Sequence, residues 1–297
     1  MSKKVGLIGC GLMGAPIAAR LVERGYNPVV FDKSAAALQH AREIGCSTAA
    51  SPRTAAENTK VVLISLPRPE HVTDVVRGGE DCLLDGLATD SVIVDTSTVD
   101  PVTSQENAKA AAERGVGYLD CPILGRPSGV GHWTLPAGGE LEHLERARPI
   151  LEVFASRIVH VGPSGHGNTL KLLNQLMFGA INSVTAEMFA AAVTVGMDPG
   201  LLFDTIVNSG AGTVSNLFKE LGPKVVEDEF TPNFTVDNLH KDVGLGLAMA
   251  RAAGITLEFG EAGQRLTESA QAVGLGEQDT SVVFKALIDK EHTSEAS

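Results

Sequence analysis

Three glycines near the start of the chain, Gly9, Gly11 and Gly14, have the spacing of a phosphate-binding turn between a strand and a helix. The first glycine allows a tight turn, the second lets the backbone approach a pyrophosphate, and the third lets the helix pack close to the strand. Asp32 ends the next apolar run, where a carboxylate can accept hydrogen bonds from a ribose 2′-hydroxyl and repel a 2′-phosphate. The pattern predicts a dinucleotide site that favours NAD, with NADP possible because Lys33 can neutralise part of a phosphate's charge. A purely structural glycine turn is the alternative.

Two lysines in the second half of the chain could also do chemistry. Lys171 lies near the start of a long apolar helical run, and Asn174, three residues later, lies on the same helical face. A buried lysine costs free energy unless it has a partner or a task. Lys241 and Asp242 open a second apolar helical run. Taken alone, each lysine also fits a solvent-exposed position near a helix end.

The elements that would carry these residues follow an alternating pattern up to about residue 163. Short, β-branched apolar runs at 5–8, 29–31, 60–67 and 91–98 are typical of parallel strands buried on both faces, and helical segments separate them. This alternation predicts a doubly wound α/β sheet. Ligands of such sheets bind beyond the carboxyl ends of the strands. The candidates there are the glycine turn, Asp32, Leu66, Pro67, Thr96, Ser97, Thr98 and Asp120.

After residue 163 the strand pattern stops and helical segments follow. We therefore predict a dinucleotide-binding Rossmann domain over 1–163 and an all-helical domain for substrate binding and dimerisation over 164–297. The run 167–196 reads as one long helix that is apolar over much of its circumference. A helix of that kind is buried in its own domain or against a partner chain, which predicts a homodimer or homotetramer.

Composition argues against several other classes of function. The 297 residues carry a formal net charge of −12 and 4% aromatic residues, a poor match to the basic and stacking surfaces that bind nucleic acid. No run of about 18 consecutive apolar residues occurs, so no membrane span is expected. The cysteines Cys10, Cys46, Cys82 and Cys121 form no CxxC pair or metal-ligand cluster, which favours a reduced, cytoplasmic, metal-free protein.

Several separated motifs share their order and spacing with one known family. They are GLIGCGLMGAPIA at the start, SLP at 65–67, VDTSTVDP at 94–101, DCPILGRPSGVGHWTLPAGG at 120–139, GHGNTLKLLNQ at 165–175 and LHKDVGLGL at 239–247. Over residues 4 to 288 the chain resembles the β-hydroxyacid dehydrogenases of the 3-hydroxyisobutyrate dehydrogenase type.

The resemblance implies a set of roles. Lys171 would be the catalytic acid/base, and Asn174 would hold the substrate together with Gln175, which replaces a second asparagine. Ser97 is placed with the substrate, and Lys241 would reach the cofactor. The remaining cofactor contacts would be Leu12, Met13, Asp32, Leu66, Pro67 and Thr98. Lys171 would accept the hydroxyl proton as a neutral amine while hydride passes to the nicotinamide.

The predicted substrate loop departs from the family. The family usually reads D-x-P-V-S-G-G, whereas this chain reads D-C-P-I-L-G-R-P. Leu124 replaces a serine, Gly125 is kept, Arg126 replaces a glycine, and Trp133 stands where a glycine is usual. Arg126 has a planar cationic donor group that suits a small anionic substrate, and a surface side chain in a loop that has simply diverged is the alternative. Sulfolactaldehyde reductase, a relative within the family, has a similar G-R-T-S with its arginine one position earlier.

We therefore expect an NAD(P)-dependent oxidoreductase of a small 3-hydroxy acid or its semialdehyde. Three alternatives stay open at this point. One is a reductase of sulfolactaldehyde or succinate semialdehyde, and another is an imine reductase, although imine reductases usually lack the lysine found at position 171. The last is a nucleotide-binding protein without turnover.

Overall fold

The computed structural model describes residues 3–294, with side chains up to residue 288. The chain forms two compact units, Met1–Lys171 and Leu172–Ser297. The predicted boundary at residues 163 and 164 precedes the long helix, whereas the observed division falls within it. The assignment of substrate binding and dimerisation to the second unit stays a prediction.

The first unit alternates strands and helices, as its apolar runs predict. Its strands are β1 (Lys4–Ile8), β2 (Asn27–Phe31), β3 (Ser47–Thr48), β4 (Val61–Ile64), β5 (Val92–Asp95), β6 (Gly117–Asp120), β7 (Trp133–Gly138) and β8 (Ala155–Gly162). Its helices are α1 (Gly14–Glu23), α2 (Ala35–Ile44), α3 (Pro52–Ala56), α4 (Pro69–Arg77), α5 (Leu83–Gly86), α6 (Pro101–Ala112) and α7 (Leu141–Leu151).

One eight-stranded sheet has the order β3-β2-β1-β4-β5-β6-β7-β8. The first six of these strands pair in parallel, β7 is antiparallel to β6, and β8 is parallel to β7. The crossover from β3 back across β1 to β4 makes the sheet doubly wound, which confirms the predicted fold class.

Side chains that alternate along each strand fill two hydrophobic cores, one on each face of the sheet. Leu63 packs in the core that α1, α2 and α7 cover, whereas Val62 packs in the core that α3 to α6 cover. This burial on both faces explains why the strands read as continuous apolar runs.

Strand β7 is an element that the apolar pattern does not predict. We expected Trp133 to lie beside the predicted substrate loop and in no strand, but Trp133 to Gly138 pair along β8. The strand contains Pro136 and ends in glycine, and both residue types are uncommon inside strands, so its pattern is weak. Trp133 is therefore part of the sheet.

Helices are the main regular elements among the described residues of the second unit. The long helix α8 (His166–Thr194) starts in the first unit and continues into the second. It is followed by α9 (Pro199–Val207), α10 (Asn216–Val226), α11 (Val236–Ala252), α12 (Glu258–Ala272) and α13 (Val283–Ser294). Phe189, Phe218 and Val283 belong to its larger core, and Leu239 and Val243 to a smaller one.

Helix α8 keeps much of its apolar surface outside these cores. Its most apolar 18-residue window is 44% buried, and by length and composition this helix could cross a membrane. A helix buried in the core of a globular domain can have the same length and composition. Leu173, Met177 and Val184 lie along one face of α8 with exposed fractions of 55%, 60% and 59%. We call these three residues the α8 stripe.

Candidate active site

The glycine turn lies between β1 and α1. Gly9 has φ of +91°, which side-chain-bearing residues rarely adopt, and a Cβ there would overlap the carbonyl oxygen of Ser65. A Cβ at Gly14 would overlap the carbonyl oxygen of Gly9. The tight turn and the close helix therefore both exclude a side chain at these two positions.

Gly11 differs, because a Cβ at this position would meet no protein atom within 4 Å. Packing within the protein therefore does not explain the glycine, whereas an approaching pyrophosphate would. Helix α1 begins at Gly14, has no acidic residue in its first turn, and receives no capping hydrogen bond from the Met13 side chain. Its first N–H groups can thus face a phosphate. Leu12 beside them is 60% exposed. The turn fits the phosphates of a dinucleotide.

Asp32 lies at the end of β2, where its carboxylate joins two backbone segments. Oδ2 accepts a hydrogen bond of 2.8 Å from the N–H of Cys10, and Oδ1 accepts one of 2.8 Å from the N–H of Ser34. The glycine turn and the end of β2 are thereby held together. Lys33 is exposed. A carboxylate oxygen can accept more than one hydrogen bond, so Asp32 remains able to bind a ribose hydroxyl.

Hydrogen bonds join the end of β5 to the end of β4 and to β6. The N–H of Leu66 donates to Oγ of Ser97 at 2.9 Å, and the N–H of Ser97 donates to Oδ1 of Asp95 at 2.9 Å. The hydroxyl of Tyr118 donates to Oδ2 of Asp95 at 2.9 Å. Leu66 and Ser97, predicted for cofactor and substrate respectively, are therefore brought together, and Thr98 follows directly.

Asp95 was not among the predicted site residues. Burial raises the pKa of its carboxyl to about 6, although hydrogen bonds from Ser97 and Tyr118 oppose the shift and the negative charge of Asp120 adds to it. The sequence does show that Asp95 lies at the carboxyl end of an apolar strand, a position where site residues of such sheets are expected. The sequence does not reveal that Tyr118 lies on the next strand and reaches it.

Asp120 anchors the start of α8. Its carboxylate accepts hydrogen bonds of 2.8 Å from the N–H groups of Gly165 and Asn168, which satisfies donors at the helix N-terminus. The side chain of Asn168 accepts a hydrogen bond from the N–H of Val99 at 3.2 Å. Burial raises the pKa of Asp120, and these backbone hydrogen bonds oppose the shift. The helix that carries Lys171 is thus fixed to the carboxyl end of the sheet.

Lys171 lies within the first two turns of α8 and is half-buried. Its Nζ donates a hydrogen bond of 2.9 Å to the carbonyl oxygen of Ile123. Ile123 directly precedes Leu124, Gly125 and Arg126 of the predicted substrate loop. The first unit therefore brings the predicted acid/base together with that loop.

The loop itself is held against β7. Leu124 and Thr134 exchange backbone hydrogen bonds of 3.0 and 3.3 Å, and Nε1 of Trp133 donates to the carbonyl oxygen of Arg126 at 2.7 Å. The Trp133 ring is 1% exposed, and a Cβ at Gly125 would overlap it. Arg126 is half-buried. Trp133 thus fixes the backbone from which the Arg126 side chain extends.

In the second unit, four polar residues form a chain of contacts. Nδ2 of Asn174 donates to Oε1 of Gln175 at 3.3 Å, and Nε2 of Gln175 donates to Oδ2 of Asp242 at 2.6 Å. Nζ of Lys241 lies 2.8 Å from Oδ1 of Asp242. Gln175 and Asp242 are buried. The structure therefore joins three predicted residues through Asp242, which was not predicted to act.

Two family models match consecutive parts of the chain. The NAD binding domain of 6-phosphogluconate dehydrogenase matches residues 4–162, and the NAD-binding domain of NADP-dependent 3-hydroxyisobutyrate dehydrogenase matches residues 165–287. The matches support NAD(P) as the cofactor, in agreement with the glycine turn.

Individual relatives are similar over nearly their full length. The 3-sulfolactaldehyde reductase of Escherichia coli (strain K12) is 33% identical over 289 residues, which is 95% of each chain. The 3-hydroxyisobutyrate dehydrogenase of Pseudomonas aeruginosa is 33% identical over 269 residues, 88% of this chain and 90% of that one. A solved structure of Mycobacterium tuberculosis 3-hydroxyisobutyrate dehydrogenase with L-serine is 28% identical, covers 97% and 99% of the two chains, and has a TM-score of 0.84.

The sequence resemblance is thereby confirmed, while the roles of the individual site residues stay predictions. The fold, the cofactor turn and these similarities lead to one conclusion. The chain belongs to the β-hydroxyacid dehydrogenase family and is an NAD(P)-dependent oxidoreductase of the 3-hydroxyisobutyrate dehydrogenase type.

Proposed function

We propose that this protein interconverts a small 3-hydroxy acid and its semialdehyde, with NAD as the preferred cofactor and Lys171 as the acid/base. The contact between Nζ of Lys171 and the carbonyl oxygen of Ile123 carries the proposal, because it fixes an ammonium beside the substrate loop. The names of the relatives, which include a 3-hydroxyisobutyrate dehydrogenase and a 3-sulfolactaldehyde reductase, support the substrate class.

The chain's own residues would handle the proton and the orientation of the substrate. In the oxidative direction a neutral Lys171 amine accepts the substrate's hydroxyl proton, and the C–O bond becomes a carbonyl as hydride leaves the same carbon. In reverse, the Lys171 ammonium donates that proton and stabilises the developing oxyanion. The bound nicotinamide supplies or accepts the hydride. The Ile123 carbonyl holds Nζ in place between turnovers.

Arg126 favours a second candidate within the same chemistry. The guanidinium of Arg126 can bind a sulfonate as well as a carboxylate through paired N–H donors. A sulfonate aldehyde such as sulfolactaldehyde is therefore the alternative substrate, and the printed name of the Escherichia coli relative supports it.

A nicotinamide absorbance assay distinguishes these substrates. The panel contains methylmalonate, tartronate and succinate semialdehydes together with sulfolactaldehyde, each with NADH and with NADPH, and cyclic imines form a separate arm. Preferred turnover of a carboxylate semialdehyde with NADH supports the proposal, and preferred turnover of the sulfonate supports the alternative. NADH binding without turnover of any compound would contradict both.

Lys171→Ala tests the proposed acid/base. We expect kcat to fall by roughly 10²- to 10⁴-fold, the range for loss of a positioned acid/base, while NADH affinity is retained. Lys109→Ala removes an exposed lysine from α6 and should leave kcat unchanged. Equal kcat values for Lys171→Ala and wild type would reject the assigned role.

We also propose that the protein forms a homodimer and that the α8 stripe is its interface. Three large apolar side chains on one helical face are costly to expose to water, and a second copy can bury them. We also propose a cytoplasmic location, because Cys10, Cys46, Cys82 and Cys121 are all free thiols.

A further inference from the structure

Asn174, Gln175, Asp242 and Lys241 form the polar chain of the second unit, and one of them, Gln175, departs from the family pattern. Gln175 replaces the family's second asparagine, and its amide lies between two other polar groups. Oε1 accepts from Asn174 at 3.3 Å, and Nε2 donates to Asp242 at 2.6 Å. These two contacts fix which way the amide points, because only Nε2 can donate to a carboxylate.

The two carboxylate oxygens of Asp242 contact different side chains. Oδ2 accepts from Gln175, and Oδ1 lies 2.8 Å from the Lys241 ammonium. A carboxylate that is 2% exposed needs such partners, because an unpaired buried charge is strongly unfavourable. With both oxygens engaged, the carboxylate has little freedom to rotate. The ammonium of Lys241 is consequently held on one side of it.

The length of the residue at position 175 decides whether this arrangement forms. An asparagine side chain is one methylene shorter than glutamine, which would withdraw its amide by roughly one carbon–carbon bond, ~1.5 Å. A contact of 2.6 Å would then exceed hydrogen-bonding distance unless the backbone moved. The length of the glutamine at position 175 therefore allows the contact with Asp242.

We propose that Gln175 and Asp242 are positioning residues that hold the Lys241 ammonium in the orientation required to bind the nicotinamide cofactor. The proposal deepens the proposed function and rests on the cofactor contact that the family resemblance implies for Lys241, a residue within the range 165–287 that matches a family model described as NAD-binding. Gln175 acts on the cofactor only through Asp242 and Lys241. Asn174 contacts the same amide. The polar chain therefore also joins Asn174, predicted to hold the substrate, to Lys241, predicted to contact the cofactor.

Titration of the cofactor-free protein with NADH, followed by the fluorescence of the bound cofactor, tests the proposal without any substrate. Gln175→Asn should weaken NADH binding about tenfold, as expected when a hydrogen bond to a charged group is lost. Gln175→Met keeps the length, removes the donor and should give the same loss. This second variant serves if the asparagine variant fails to fold.

The matched control is Gln271→Asn. Nε2 of Gln271 donates to Oδ1 of Asp237 at 2.7 Å, which is another glutamine–aspartate hydrogen bond to helix α11, but an exposed one. This variant should bind NADH as wild type does. A tenfold loss in the control as well would mean that disturbing α11 in general weakens binding, and would overturn the proposal.

A double-mutant cycle with Lys241→Ala separates positioning from general structural support. Gln175→Asn should cost less than about twofold in the Lys241→Ala background, because the residue it positions is then missing. The same tenfold loss in both backgrounds would overturn the proposal, and so would an unchanged NADH affinity in Lys241→Ala alone. Failure of the proposed substrate class shows instead in the aldehyde assay and leaves the NADH titrations intact.

Discussion

Asp32 illustrates how one residue can serve both the fold and the cofactor. Its two carboxylate oxygens hold the N–H groups of Cys10 and Ser34, which ties the glycine turn to the end of β2. The negative charge is therefore fixed at the position where a ribose 2′-substituent is expected. Cofactor preference should follow this charge.

Asp32→Asn tests that expectation. We expect the preference for NADH over NADPH, measured as the ratio of kcat/KM values, to fall about tenfold or more, because the repulsion of a 2′-phosphate is lost. Lys33→Ala should shift the ratio in the opposite direction, towards NADH, because it removes a cation that can neutralise part of a 2′-phosphate's charge. An unchanged ratio in Asp32→Asn would show that the Asp32 carboxylate does not discriminate between the two cofactors.

The buried Asp95 should make stability depend on pH. Its pKa is raised from 3.8 to about 6, so the folded state holds the proton more tightly than the unfolded state. The stability that protonated Asp95 contributes is complete below pH 4 and is lost as pH rises through 6. A shift of this size corresponds to roughly 3 kcal/mol.

Asp95→Asn removes this titration. The free energy of unfolding of wild type, measured by denaturant titration, should therefore decline relative to that of Asp95→Asn between pH 4 and pH 7. Differences between the two proteins at each pH remove most of the contribution of Asp120, whose pKa is also raised and whose charge interacts with that of Asp95. A difference that stays constant across this range would show that Asp95 does not titrate there.

Single residues differ in how far their roles can be predicted from sequence. The positions of Gly9, Gly14 and Asp32 at the turn could be predicted from their spacing, because all three lie in a local strand–turn–helix unit. Asp95 and Asp242 depend on partners far along the chain, Tyr118 and Gln175, and no local pattern indicates those contacts.

At the scale of elements, the substrate loop and β7 form one structural unit. The backbone of Leu124 pairs with Thr134, and Trp133 donates to the carbonyl oxygen of Arg126. Edge-to-face packing against Phe154 at a centroid distance of 6.2 Å fixes the Trp133 ring. The position of the Arg126 backbone therefore depends on the sheet.

Trp133→Phe keeps an aromatic ring and removes the hydrogen bond to Arg126. We expect kcat/KM for the preferred aldehyde to fall about tenfold and the free energy of unfolding to fall by about 1 kcal/mol. NADH affinity should stay unchanged, because the glycine turn is intact. Tyr26→Phe removes another side-chain donor to a backbone oxygen, that of Pro149, and serves as the control. An unaltered kcat/KM in Trp133→Phe would mean that the loop holds its shape without this bond.

Most elements were predictable because apolar runs and helix formers determine them locally. The apolar runs at 5–8, 29–31, 60–67 and 91–98 agree with β1, β2, β4 and β5 to within a few residues at their ends. Strand β7 was missed because its stability comes from pairing with β8 and from the buried Trp133 rather than from its own composition.

At the scale of the whole molecule, the two compact units divide the expected roles. The first contains the glycine turn, Asp32, Lys171 and the substrate loop, and the second contains the polar chain from Asn174 to Lys241. Family membership could be predicted from the order of separated motifs, and the doubly wound fold from the alternation of apolar runs and helical segments. The substrate could not, because the loop that departs from the family is the region that would select it.

The α8 stripe predicts self-association. Met177→Glu places a charge among Leu173 and Val184, so sedimentation at micromolar concentration should change from a dimer or tetramer to a single chain of 31.0 kDa. Leu141→Glu adds the same charge at a 52% exposed leucine of α7 and should leave the assembly unchanged. A wild-type protein that sediments as a single chain would contradict the proposed interface.

The fit between Gly125 and Trp133 restricts the order in which this loop can be altered. Any side chain introduced at position 125 overlaps the indole, so a library that varies 125 alone should return mainly misfolded proteins. A smaller residue at 133 would have to come first, and it would release the backbone of Arg126 at the same time. Efforts to retarget the enzyme should therefore vary positions 125, 126 and 133 together.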